Sequence, residues 1–197
     1  MRYLNSNRSV TLRSDPLFAL RNPEPPPPFI EVNELILSSV PVGFNALGGL
    51  NADEVNEVAA AGGFVPPYAS GTVVMRLVAA REARFVRIYD QDEMHCGRVS
   101  PWLLNEDDIV GLTPLHVAGK FNLCAMPNMI ADVVVPAGTR VCMGITPRIP
   151  HWAQWGTSAK IGGGIQFLLA TPPERIPERW FGPGKSLTKN RVISRCH

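Results

Sequence analysis

The chain has no apolar run approaching the roughly 18–20 residues that a membrane-spanning helix needs. Its first residues, Met1-Arg2-Tyr3-Leu4-Asn5-Ser6-Asn7-Arg8, hold no apolar stretch of the signal-peptide kind. Neither a membrane span nor a signal peptide is therefore expected. No two of the four cysteines, Cys96, Cys124, Cys142 and Cys196, form a C-x-x-C pair, and none of His95, His116, His151 and His197 stands at metal-ligand spacing from another. No metal site is expected on that pattern. The cysteine spacing demands no disulfide, and reduced, structural cysteines suit a cytoplasmic site of action. Net charge is only +2, too mild to point to a nucleic acid or an anionic membrane surface.

What the chain has in quantity is proline and glycine, 19 and 17 among 197 residues. They favour short strands and many turns over long helices. Apolar residues make up 45% and charged residues 18%, enough for a real core. Residues 1–30 are polar and then proline-rich, ending in Pro23-Glu24-Pro25-Pro26-Pro27-Pro28. That hexapeptide prefers a polyproline II path and reads as an arm or linker. Residues 31–197 read as a single globular domain.

Asn51-Ala52-Asp53-Glu54 opens a helix that Gly62-Gly63 ends: Asn51 caps it and the acidic residues suit its first turn. Residues 72–79 and 83–90 read as strands, joined as a hairpin through Ala80-Arg81-Glu82. Thr113-Pro114 starts a short helix that buries Leu115, Ala118 and Phe121. Residues 130–135 and 140–145 read as strands around the turn Pro136-Ala137-Gly138-Thr139, and 164–169 as the last clear strand. Residues 146–163 form a loop carrying His151, Trp152 and Trp155. The whole is a mixed α+β fold with a small, mainly antiparallel sheet and short helices.

Two segments have the composition of a site. In Ile161-Gly162-Gly163-Gly164-Ile165-Gln166-Phe167, the glycines allow close backbone approach to a ligand, and Gln166 points away from the face of Ile165 and Phe167. It faces either a cleft or plain solvent. In Phe85-Val86-Arg87-Ile88-Tyr89, a lone arginine sits in an apolar strand and needs an anionic partner. That partner is either a structural carboxylate, such as Asp90 or Asp132, or a ligand phosphate gripped through two parallel hydrogen bonds. His95 beside Cys96 is not expected to form a nucleophilic pair, because neighbours on an extended strand point apart. His151 is a candidate for a supporting role.

Taken in order, Arg87 in its strand, Gly97 followed by Trp102-Leu103-Leu104, the strand Asp132-Val133-Val134-Val135-Pro136-Ala137-Gly138, and Gly162-Gly163-Gly164-Ile165-Gln166-Phe167 resemble the tuberculosis-necrotizing-toxin family of NAD⁺ glycohydrolases. Gly111-Leu112-Thr113-Pro114 through Phe121 also looks like the C-terminal modules of contact-dependent and Rhs-type polymorphic toxins. The likeness covers the core at about residues 84–170. It implies a split-sheet fold of the NADase and ADP-ribosyltransferase type, with NAD⁺ as substrate and no cofactor required. Carried across, Arg87 would hold the pyrophosphate, Gln166 would sit at the nicotinamide ribose, and Trp102 would be the aromatic near the dinucleotide. Gly163 and Gly164 would be dinucleotide-binding positions beside Arg87, Trp102 and Gln166. The catalytic residues implied are thus Gln166 and Arg87. Lys120 in Gly119-Lys120-Phe121-Asn122-Leu123 stands where the family has a second phosphate-binding base, as a poor substitute. The resemblance further implies a secreted or delivered effector acting in a target-cell cytoplasm and a cognate immunity protein as partner. An ADP-ribosyltransferase is an alternative, although its catalytic glutamate is not on the Gln166 strand and Glu174 follows two prolines. A toxin ribonuclease with a dispersed basic face, and a non-catalytic binding or structural module, are the others.

Overall fold

The computed structural model describes residues 36, 38–63, 65–92, 97–123, 125–147, 162–188 and 192–194. The proline-rich arm lies outside the described residues, as do His95, Cys96, Cys124, His151, Trp152, Trp155, Cys196 and His197. Eight strands form one antiparallel sheet: β1 Phe44–Asn51, β2 Val73–Ala79, β3 Ala83–Tyr89, β4 Trp102–Leu104, β5 Met129–Val135, β6 Arg140–Ile145, β7 Ile165–Leu169 and β8 Lys185–Ser186, in the order β1-β2-β6-β7-β4-β3-β5-β8. Among the described residues, the helices α1 Ala52–Ala61 and α2 Pro114–Lys120 pack on it. Among the described residues no helix is long and apolar enough to cross a membrane.

Both helices start as their sequences dictate. The Asn51 side chain accepts from Asp53 N at 2.9 Å, and Asp53 and Glu54 occupy the first turn of α1. Thr113 caps α2, with Pro114 at its first position. The buried stripe of α2 is Pro114, Val117, Ala118 and Phe121, the i, i+3, i+4, i+7 set. The expected Leu115 is only half-buried, because counting the stripe from it starts one residue late.

The strand pairing departs from the hairpins expected. β2 and β3 are consecutive in sequence yet not neighbours: β2 pairs with β1 and β6, and β3 with β4 and β5. β5 and β6 are likewise apart across the Pro136–Thr139 turn. Short connections suggest hairpins, but here the chain crosses between the two halves of the sheet. Across the crossing β3 and β5 share seven registered positions, from Ala83↔Val135 to Tyr89↔Met129.

One sheet face is a continuous apolar layer. Phe85, Leu103, Val133, Met143 and Phe167 lie in it beneath Ile36, Ile176 and Phe181. The Phe44, Phe85 and Phe167 rings link β1, β3 and β7, with centroids 5.8 and 4.9 Å apart. The other face is divided. α1 and Tyr68 cover Val74, Cys142 and Leu168, whereas Val117 and Phe121 cover Val86, Ile88, Leu104 and Ile130. At this division β3 and β4 meet in a single registered pair, Val86↔Leu104. Beyond it, toward Ile88 and Trp102, the strands part.

Candidate functional site

A cavity of about 310 Å³ lies in that opening, at the lower end of the size of small-molecule pockets, ~300–1,000 Å³. Arg87, Ile88 and Tyr89 of β3 line it, with Trp102 and Leu104 of β4 and Gln166 of β7. The loops Val65-Pro66-Pro67, Phe121-Asn122-Leu123 and Thr146-Pro147 add to the wall, together with Asp90, Ser100, Ala125 and Pro127. Strand alternation sets Arg87 opposite Val86, while register sets Gln166 beside Leu104, the partner of Val86. On an unbroken sheet Arg87 and Gln166 would point to opposite faces. The parting of β3 and β4 gives both a place on one wall.

Arg87 is the one buried charged side chain among the described residues, at 8% exposure. Its Nε donates to Gly97 O at 3.3 Å. No described carboxylate forms an ion pair with it: Asp132 is bridged by Lys185 at 3.2 Å, and Asp90 accepts from Asn128 Nδ2 at 2.8 Å and from Asp92 N at 3.1 Å. The structural-carboxylate alternative for Arg87 is thus not realised with either residue. Burial pushes the guanidinium down to about 10, with the Tyr89 phenol opposing that shift. At neutral pH it remains charged, with its Nη groups as donors for an anion.

Gln166 donates from Nε2 to Pro67 O at 2.6 Å. A backbone carbonyl only accepts, so this bond fixes which end of the carboxamide is the amine and leaves Oε1 as the acceptor. The loop carrying Pro67 is tied to α1. Asn56 Nδ2 donates to Tyr68 O at 2.8 Å, and Tyr68 N donates back to Asn56 Oδ1 at 3.0 Å. Asp53 accepts from Ser70 Oγ and from Gly71 N, and those two bonds lower its pKa. Beneath the loop the Tyr68 ring packs against Gly144, the register partner of Gln166. A Cβ at Gly144 would collide with the ring, so only glycine leaves room for it.

Trp102 lines the cavity and packs on its inner side against the α1 cluster. Gly163 and Gly164 do not line it. Gly163 takes φ +79, and its N donates to Thr146 O at 3.0 Å. Gly164 lies behind the wall, where a Cβ would stand 2.5 Å from the Phe121 ring. The glycines therefore shape the wall from behind rather than touch its contents. Thr146 joins these parts: its Oγ1 donates to Lys120 O at 2.8 Å and accepts from Gly164 N at 3.0 Å. Asn122 takes a left-handed φ of +50 and donates from Nδ2 to Pro147 O. Lys120 is not at the wall; its Nζ binds Asp108 O at 2.9 Å.

Set against known proteins, the chain matches no family model, no curated protein and no solved structure.

The sequence therefore singled out Arg87, Trp102 and Gln166, on three different strands, and the structure brings them to one cavity. It did not single out Asn56, Phe121, Asn122, Thr146 or the Pro66-Pro67 wall. Pro66-Pro67 carried a readable signal, since two consecutive prolines offer carbonyls and no N–H and so ask for a donor. Among the described residues no group of three or more His, Cys, Asp or Glu is placed to hold a metal ion.

Proposed function

We propose that the protein is an NAD⁺ glycohydrolase of the split-sheet type, cleaving NAD⁺ to nicotinamide and ADP-ribose at the cavity between β3 and β4. The observation that carries this reading is the convergence there of a buried cation without a described carboxylate partner, an oriented carboxamide and an indole. The Arg87 Nη groups would bind the pyrophosphate, strengthened by the low local dielectric. Trp102 would stack on a ring of the dinucleotide. The Gln166 Oε1 would accept from a ribose hydroxyl or from the attacking water.

The reaction asks little more of the protein. The C1′–N bond breaks with its electron pair going to the pyridinium nitrogen, so nicotinamide leaves neutral and no general acid is required, unlike ordinary glycosides. Water adds at C1′ and releases a proton to solvent. The protein's part is to bind the pyrophosphate, fix the ribose and favour the oxocarbenium-like state. Hydrolysis fits better than transfer to a protein acceptor: Glu174 is exposed on a 3-10 turn outside the cavity. On this reading the chain is the toxin module of a delivered effector, with a cognate immunity protein as its partner.

The test is NAD⁺ consumption by the purified protein, followed by HPLC. We expect nicotinamide and ADP-ribose in equal amounts from the wild type, and at least a 100-fold lower rate from Gln166→Ala, on the scale of losing a group that acts in the transition state. Intact NAD⁺ at high protein concentration would remove the reading.

A further inference from the structure

We infer that Asn56, a residue of α1 that does not line the cavity, is a positioning residue for Gln166 and acts through one peptide unit, Pro67–Tyr68. The inference rests on the proposed hydrolase for its catalytic meaning, but its geometry stands apart from any reaction.

The Pro67 carbonyl and the Tyr68 N–H belong to the same planar peptide, and its trans form points them in opposite directions. The N–H end is held by Asn56 Oδ1 at 3.0 Å. The carbonyl end holds Gln166 Nε2 at 2.6 Å. The side chain of Asn56 and the carboxamide of Gln166 are thus the two ends of a single hydrogen-bonded relay through one rigid plate. Asn56 cannot turn over freely, because its Nδ2 donates to Tyr68 O at 2.8 Å. That second bond fixes Oδ1 toward the N–H.

The terminal torsion of a glutamine is broad and close to two-fold, so packing alone distinguishes its oxygen from its nitrogen poorly. A carbonyl at 2.6 Å distinguishes them sharply, since reversal would set two acceptors together. Pro66 and Pro67 have no N–H to offer a reversed carboxamide. Aligned dipoles along such a chain also reinforce one another. Asn56 therefore determines where the Pro67 carbonyl stands, and the carbonyl determines that Gln166 shows the cavity its oxygen.

Asp53 provides the comparison. It ties the same loop to the same helix, through Ser70 and Gly71, without touching the Pro67–Tyr68 peptide. A purely structural role for Asn56 would make the two residues equivalent.

The test has two arms. In the first, the side-chain NH₂ of Gln166 is followed by NMR, assigned by its loss in Gln166→Ala. In the wild type one of its two protons is expected downfield and protected from exchange. In Asn56→Ala both should move toward solvent-exposed glutamine positions, while in Asp53→Ala they stay. In the second arm, Asn56→Ala is expected to lower kcat for NAD⁺ about five- to tenfold with KM within twofold, the scale of one displaced hydrogen bond, and Asp53→Ala to leave kcat within twofold.

An unprotected Gln166 NH₂ in the wild type overturns the inference without any variant, as does an unmoved signal in Asn56→Ala. Equal loss of kcat in Asp53→Ala and Asn56→Ala overturns it too, since loosening of the loop would then suffice. A wild type that leaves NAD⁺ intact removes the hydrolase reading alone; the NMR arm then still decides the relay.

Discussion

Replacing Arg87 with methionine should make the protein more stable while removing the proposed pyrophosphate contact. Burial lowers the guanidinium from its ordinary value to about 10. At about 1.4 kcal/mol for each tenfold change, carrying the charge into the fold costs about 3 kcal/mol. The sign follows from linkage. The folded state holds this proton less tightly than the unfolded chain, so below pH 10 the cost is present in full, and it is relieved only as pH rises above about 10 toward the ordinary guanidinium value. At neutral pH the whole penalty applies. Methionine removes it and gives up the bond to Gly97 O, worth about 1 kcal/mol. The net expectation is a gain of about 2 kcal/mol, or about 4–8 °C in Tm for a domain of this size. The assay is urea unfolding at pH 7, with and without millimolar pyrophosphate. Pyrophosphate should raise the midpoint of the wild type by mass action and leave Arg87→Met unmoved. A variant destabilised by more than about 1 kcal/mol would refute the reasoning: the charge would then be matched within the fold, not held for a ligand.

Two further predictions test the wall of the cavity. The Tyr68 hydroxyl is buried and makes no hydrogen bond, and burial raises its pKa well above 10, so Tyr68→Phe should be neutral or stabilising by about 1 kcal/mol in the same unfolding assay; a loss of 1 kcal/mol or more would reveal a partner. Gly164→Ala forces a Cβ against the Phe121 ring and Lys120 O and should cost about 1–3 kcal/mol by overpacking, with turnover falling as Phe121 shifts into the cavity. An alanine variant as stable and active as the wild type would show that the wall yields freely.

The parts of the fold that were legible in the sequence are those written in neighbouring residues. Asn51 and Thr113 announce their helices because a cap acts within three positions, and five of the eight strands show in their apolar, β-branched composition. β1 escaped notice because Gly48-Gly49 interrupts its pattern, and β4 and β8 because they are only three and two residues long. Strand order was not legible at all. The three residues between β2 and β3 look like a hairpin loop, yet the partners of each strand lie elsewhere in the chain, and no local signal encodes that choice. The site divides in the same way. Arg87 and Gln166 are conspicuous as polar residues in apolar strands. Asn56 is one polar residue among several on α1, and its meaning appears only when the loop twelve residues on folds back over it.

The single rung between β3 and β4 also has a mechanical side. Parting β2 from β6 means breaking contact at four registered positions, and parting β3 from β5 means seven, but between β3 and β4 there is one. Under tension across the sheet, the two halves should begin to separate along this line. Among the described strand pairs this one has the fewest registered positions, and Arg87, Trp102 and Leu104 on its two sides line the cavity, so whatever binds there also bridges the seam, and an occupied cavity should raise the force needed to open it.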